Sequence, residues 1–397
     1  MFRIIAVVVS ALLFSSLAVA KSAPPEPSLG QAFSDAIIKR YSPTIDEMTH
    51  HGWDHSNSII LHGIEKIYNK THNKKYLKYI KAYADDFINK DGSIKGLELT
   101  LDGMHPGVLC LFLYEQTGDE KYKLAAKTMR DHLLGTPAKP SAFNKTPDGA
   151  FWHKNNDKYK NVISVDGLYM YAPFLIRYGV MFNDPEVIDI AAQQILLVTS
   201  HSFNIKTNLP YHAWNYDKNK PWAHVITGSS TQFWSRAVGW FSMSLADVLE
   251  YLPAAHPNRD KILFLYQSLA KGIQAAQNPA DGFWYQVVDA YNQPNNYPEA
   301  SGTGMMIYGL QKGVDLKLLD ASYHEVAEKA WQALKTKVTT YKDGGPQMNS
   351  IAPPMGSQLD YQGYVAIRPV SVPAETGEDA PHGYIGVLMA SAVMEKK

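Results

Sequence analysis

Two kinds of helical pattern take turns along this chain, and their alternation leaves very few folds open. In NKKYLKYIKAYADDFI, Tyr76, Ile80, Tyr83 and Phe87 recur at four- and three-residue spacing, with Lys and Asp between them. That is one apolar stripe, as on a helix with a face in solvent. The neighbouring HPGVLCLFLYEQTGD is apolar almost all round, as on a helix enclosed from every side. Striped segments fall near 29–41, 74–89, 120–134, 185–200, 258–277 and 324–338. Enclosed segments fall near 55–70, 104–117, 167–180, 235–252, 301–313 and 382–395, and the two kinds alternate without exception. Six enclosed helices inside six amphipathic ones make an all-α fold, an (α/α)6 barrel, with residues 21–397 as a single domain. A solenoid of stacked helical hairpins is the alternative.

Residues 1–20 stand apart from this pattern. MFRIIAVVVSALLFSSLAVA sets Arg3 before an apolar run and ends in Ala18-Val19-Ala20, an A-x-A cleavage site. It reads as a secretory signal peptide, too short for a membrane anchor, so an exported periplasmic or extracellular protein of a bacterium is expected. The charges, 38 cationic against 38 anionic residues, balance, and no basic run points to nucleic acid or a membrane surface. The one cysteine, Cys110 in VLCLFLY, is expected in the core. No spaced His, Cys or calcium-loop pattern argues for a metal, and no phosphate or dinucleotide glycine loop argues for a cofactor. None of either is expected, and the oligomeric state is open.

The connections are lopsided. Links from enclosed to striped helices are tight, such as Thr117-Gly118-Asp119. Links in the other direction are long, and 135–166, 201–234 and 339–381 each exceed thirty residues. In a closed ring these long loops emerge at one end, where a site is expected.

That end repeats an acidic signature. TLDGMHPGVLCLFLYEQTGD and SVDGLYMYAPFLIRYGVMFND place Asp102 and Asp166 in one register, 64 residues apart, as are Tyr114 and Tyr178. An Asp before a helix is a favoured N-cap. A matched pair at the mouth of an apolar ring is also a candidate acid–base pair. Two carboxylates in one cleft repel, so one proton shared unequally between them is expected.

The loops carry six of the eight tryptophans, namely Trp53, Trp152, Trp214, Trp222, Trp234 and Trp284, which suggests stacking faces for a ligand. FWSRAVGW adds Arg236, a natural partner for a substrate carboxylate, and Trp240. His212 in LPYHAWN and His153 in DGAFWHK are either solvated loop histidines or ligand contacts.

LDGMHPGVLCLFLYEQTGDEKY, GAFWHK, VDGLYMYAPFL, YHAWN, FWSRAVGW and EASGTGMMIYG, in this order, resemble the unsaturated rhamnogalacturonyl hydrolases of glycoside hydrolase family 105. The related unsaturated glucuronyl hydrolases of family 88 are a more distant likeness. The resemblance runs from about Trp53 to the C-terminus. It implies an (α/α)6 barrel acting on oligosaccharides left by polysaccharide lyases, by protonating and hydrating the C4=C5 double bond of the terminal uronic acid. It implies Asp166 as general acid and water-activating base, with Asp102 orienting the sugar. It also implies a uronate subsite of Trp152, His153, Lys154, Met170, His212, Trp234, Arg236 and Trp240. Ser164 departs from the family pattern, standing where a larger, often aromatic residue is expected. Three other readings stay open: an ordinary inverting glycosidase, a polysaccharide lyase on the same barrel, and a non-catalytic carbohydrate-binding protein.

Overall fold

The computed structural model describes residues 27–375 and 380–395, so the expected leader, residues 1–20, lies outside the described residues. The helices in chain order are α1 (Leu29–Arg40), α2 (Asp46–Thr49), α3 (His55–Thr71), α4 (Lys74–Phe87) and α5 (Gly107–Thr117). They continue with α6 (Glu120–Leu134), α7 (Gly167–Met181), α8 (Pro185–Ser202), α9 (Ser235–Tyr251) and α10 (Arg259–Ala276). The last are α11 (Ala300–Asp315), α12 (Tyr323–Lys335), α13 (Tyr361–Ala366) and α14 (Pro381–Met394).

The all-round apolar helices pack in sequence, α3 on α5, α5 on α7, α7 on α9, α9 on α11 and α11 on α14. Helix α14 then returns to α3, which closes the ring and excludes an open solenoid. The striped helices lie outside, α4 on α3, α6 on α5, α8 on α7, α10 on α9 and α12 on α11, while α1 covers α14 and α3. This is an (α/α)6 barrel. None of its helices among the described residues is long and apolar enough to cross a membrane.

Local chemistry sets the helix ends. Asp54, Asn73 and Asp119 each accept a backbone N–H in the first turn of the helix that follows. Gly118 ends α5 in the left-handed region, so the chain turns into α6 with a single capping residue between. One expected boundary moves. The enclosed segment near 104–117 starts at Gly107, because Asp102–Met104 is a 3-10 turn and Pro106 precedes the helix.

Close approach on glycine welds three inner helices. A Cβ on Gly304 of α11 would lie 2.3 Å from the backbone oxygen of Gly386 in α14. One on Gly302 would lie 2.7 Å from the Ser235 backbone in α9. Cys110 is fully buried, and burial pushes its thiol pKa up.

The enclosed helices also bury charge that their apolar pattern conceals. Asp247 on α9 accepts from Tyr169, Tyr308 and Lys312 at 3.1, 2.7 and 2.5 Å, and Lys312 also pairs with Glu250 at 2.7 Å. The long loops form short antiparallel strands. Val162–Ser164 pairs with Ala213–Asn215, Ser164 facing Ala213, and residues 338–372 hold a three-stranded sheet.

The glycine weld predicts that Gly304→Val lowers the thermal midpoint, because two backbones in contact leave no room for a side chain. Overpacking of this kind costs about 1–3 kcal/mol. An unchanged midpoint by circular dichroism would refute the contact.

Candidate active site

All six inner helices begin at the end where the long loops emerge. There a cavity of about 680 Å³ opens, lined by Asp102 and Asp166 together with residues from the starts of α3, α9 and α14. Of the residues expected in the subsite, His153, Lys154, Met170, His212, Trp234, Arg236 and Trp240 all line it.

Trp152 does not. Its indole N–H donates to the Asn161 side chain at 3.0 Å, and the ring lies outside the cavity lining. The reason is chain direction: His153 turns inward, and its neighbour faces the other way. The wider expectation of six loop tryptophans around a ligand also fails for three more. Trp53 is buried against Tyr83, Trp284 is buried with its N–H on Ile273, and Trp214 stacks on His201 beside a different groove. Trp222 and Trp234 do line the cavity.

Neither aspartate caps a helix through its side chain. Asp166 occupies the N-cap position of α7 in helical backbone geometry with no side-chain capping bond, and Asp102 lies in the 3-10 turn. Both carboxylates are therefore free for other partners, and those partners differ.

Asp102 is held as an anion. Burial alone would raise its pKa, but His55, His153 and Lys154 outweigh burial and bring it down to about 2. The Lys154 ammonium lies 2.8 Å from the carboxylate. The expected proton shared between the two aspartates gives way to this arrangement, because Asp102 finds a cation instead of a second carboxylate. Asp166 has no ion-pair partner among the described residues. Its carboxylate accepts a hydrogen bond from the Ser164 hydroxyl, which the strand Val162–Ser164 presents two residues earlier.

His55 was not singled out by sequence. Burial opposes its charge, yet the carboxylates of Asp102 and Asp54 push its pKa up to about 9, with Asp54 at 3.1 Å. Its signal lay in WDHSN, where an Asp-His pair opens an enclosed helix. His382 at the start of α14, Tyr159, and residues 354–358 also line the cavity without having been expected there.

Lys158, Lys220 and Trp222 complete the charged and aromatic lining, beside His212 and Arg236. Burial, helped by His153 and Arg236 and opposed by Asp166, holds the His212 pKa at about 4, and its Nδ1 lies 2.8 Å from the Tyr364 hydroxyl. Arg236 is buried, donates to the Ala352 and Pro353 carbonyls at 2.5 and 2.8 Å, and sits 4.6 Å from the Trp234 ring centroid. No carboxylate comes within ion-pair distance of it among the described residues. Glu299 and Asp166 act on it only at longer range, and a buried cation with no carboxylate in direct contact is a place for an anionic ligand.

The His55 cluster has a pH consequence. The unfolded chain binds that proton at the ordinary value of 6.5, the folded chain at about 9. The resulting stabilisation is complete below pH 6.5 and disappears as pH rises through 9. Asp102 works in the opposite sense, stabilising above the ordinary 3.8 and losing this as pH falls through about 2. The stability gap between wild type and His55→Gln should shrink between pH 6.5 and 9 in denaturant titrations. A gap that stays constant over that range would contradict the pairing.

Residues 31–396 match the model of the family described as Glycosyl Hydrolase Family 88. A family 105 glycoside hydrolase structure from C. acetobutylicum is 32% identical with a TM-score of 0.82, covering 92% of this chain and 99% of that one. An unsaturated rhamnogalacturonyl hydrolase of Bacillus subtilis is 26% identical over 259 residues, 63% of this chain and 68% of that protein. An unsaturated glucuronyl hydrolase structure from a Bacillus species shares the fold, with a TM-score of 0.60 at 16% identity over 91% of this chain and 93% of that one. The chain belongs to glycosyl hydrolase family 88 and is a glycoside hydrolase similar over nearly its whole length to a family 105 structure.

Proposed function

We propose that this glycoside hydrolase removes the 4,5-unsaturated uronic acid from the non-reducing end of lyase-generated oligosaccharides. The single observation that carries the reading is the asymmetry of two carboxylates in one cavity. Asp102 is locked as an anion by Lys154, while Asp166 accepts from the Ser164 hydroxyl and has no ion-pair partner among the described residues. The relatives named above as unsaturated rhamnogalacturonyl and glucuronyl hydrolases support the same substrate class.

The chemistry follows from the substrate. An enol ether is protonated at carbon, so the acid must reach C4 and no leaving group need be protonated first. Asp166 gives its proton to C4, and positive charge develops at C5 and the ring oxygen. The Asp166 carboxylate then takes a proton from water as the water oxygen bonds to C5. The resulting hemiketal opens by breaking the C5–O5 bond, C1 becomes a hemiacetal, and the next sugar leaves. Ser164 accepts or donates as the Asp166 charge changes, because a hydroxyl does both. Asp102 stays ionised throughout, an acceptor for sugar hydroxyls and a fixed negative charge beside the developing cation. Arg236 supplies the counter-charge for the uronate carboxylate.

Export belongs to the same proposal. Its support is the leader pattern ending at Ala20, and N-terminal sequencing of the secreted protein is expected to begin at Lys21. Retention of the leader on the secreted protein would count against it.

Wild-type protein should bleach the alkene absorbance of unsaturated disaccharides, and Asp166→Asn should cut that rate roughly a hundred- to ten-thousand-fold. Matched saturated uronides should not be cleaved. Rising absorbance with intact polysaccharide would identify a lyase instead, and cleavage of the saturated uronide an ordinary glycosidase. Binding without turnover of any uronide would leave only a carbohydrate-binding protein.

A further inference from the structure

We propose that the mouth of this cavity forms a second subsite, built by Lys158 and Lys220, for an anionic substituent on the sugar that follows the unsaturated uronic acid. The substituent is a carboxylate or a sulfate. The inference rests on the function proposed above and extends it to the leaving group.

The argument begins with charge. Lysines 154, 158 and 220, Arg236 and His55 line the cavity against two carboxylates, Asp102 and Asp166. Most of these charges are already matched. His55 faces Asp54 at 3.1 Å, and Lys154 faces Asp102 at 2.8 Å. Arg236 is matched by the uronate of the substrate, and Asp166 is neutral at the moment it holds the proton for C4. Two ammonium groups remain. Neither Lys158 nor Lys220 has a carboxylate within 4.0 Å among the described residues. A substrate with one carboxylate leaves both uncompensated, whereas a second anion one sugar further out would meet them.

The loops that carry these two lysines are tied to each other. Lys158 lies on the 3-10 turn Asp157–Tyr159, three residues before Asn161, and Lys220 follows Asp217 by three residues. Asn161 clasps the two loops, its side-chain amide donating to the Asp217 carboxylate at 3.0 Å. Its carbonyl accepts the Tyr216 backbone N–H at 3.0 Å and the Asn215 side-chain amide at 3.1 Å. The clasp thus lies three residues from each lysine, and both line the same cavity although their positions differ by 62 in the chain. Lys158 also lies 5.5 Å from the Tyr159 ring centroid, which limits where its ammonium goes.

The walls suit a sugar between these charges and the reacting uronate. Trp222, two residues past Lys220, lines the mouth and is partly exposed, offering a flat apolar face for a pyranose ring. Ser164 lines the same space with the smallest hydroxyl side chain, where a bulky group beside Asp166 would fill it. Because Lys158 is exposed and Lys220 only half-buried, their attraction acts on binding and is weakened by salt.

The test compares three unsaturated disaccharides that differ only in the second sugar: neutral, sulfated, and carrying a carboxylate. Alkene absorbance gives kcat and KM for each at low and high ionic strength. Wild type is expected to favour at least one anionic disaccharide over the neutral one by about tenfold in kcat/KM at low salt, less at high salt. Whichever anionic substrate gains identifies the group the subsite takes. The Lys158→Gln/Lys220→Gln double variant should lose that preference through KM, and the two single variants should each lose part of it. Lys261→Gln, on the exposed face of α10, should keep it. Equal rates for all three substrates in wild type would overturn the subsite, as would a double variant that loses the same factor on each. Bleaching of none of the three by wild type would instead overturn the function on which the subsite rests.

Discussion

An inner helix with no polar face is stable only when something covers it on every side, and that constraint organises this molecule. Closure of the ring meets it. Helices α9, α11 and α14 approach until glycine backbones touch, at Gly302 against Ser235 and Gly304 against Gly386. Such contact buries the apolar surface of the helices that meet there. The outer helices then need only one apolar stripe each. Once six helices alternate in direction with six others, every inner N-terminus and every long loop falls at one end. The position of the cavity is a consequence of this closure.

At that end the structure separates two acidic groups that look alike in sequence. Both belong to a Ser/Thr, apolar, Asp, Gly signature, yet Asp102 meets Lys154 and Asp166 meets Ser164. An ammonium and a hydroxyl act very differently on a carboxyl group. The first fixes its charge, and the second orients it without adding charge. Two repelling carboxylates would have divided one proton between them, whereas here the two differ through their neighbours. His55 reinforces this difference by adding positive charge to the side of Asp102, backed by Asp54.

The same contrast tells which parts of the site sequence reveals. Residues on or beside inner-helix starts, such as Arg236, Trp240 and Met170, have directions set by helical phase, and they line the cavity as expected. Loop residues have no such phase. Trp152 and Trp214 sit in aromatic-rich loops but face away, because neighbouring residues on extended chain point to opposite sides. His55 escaped notice for the reverse reason. It sits on an enclosed helix where a polar residue reads as a satisfied core group, and the approach of Asp102 from another loop adds to the pull of its neighbour Asp54. The buried Asp247–Lys312 pair is similar, being 65 residues apart and invisible until α9 and α11 are packed together.

Sequence by itself determined the architecture: twelve barrel helices, their alternation, the end at which the loops gather, and the two aspartates at that end. These follow from hydrophobic periodicity and from loop length, which are local and survive without knowledge of partners. Tertiary structure alone decided which carboxylate meets an ammonium and which a hydroxyl, and which tryptophans and lysines line the cavity. Charge and hydrogen bonding act over a few ångströms between residues far apart in the chain, so no reading of one segment at a time contains them.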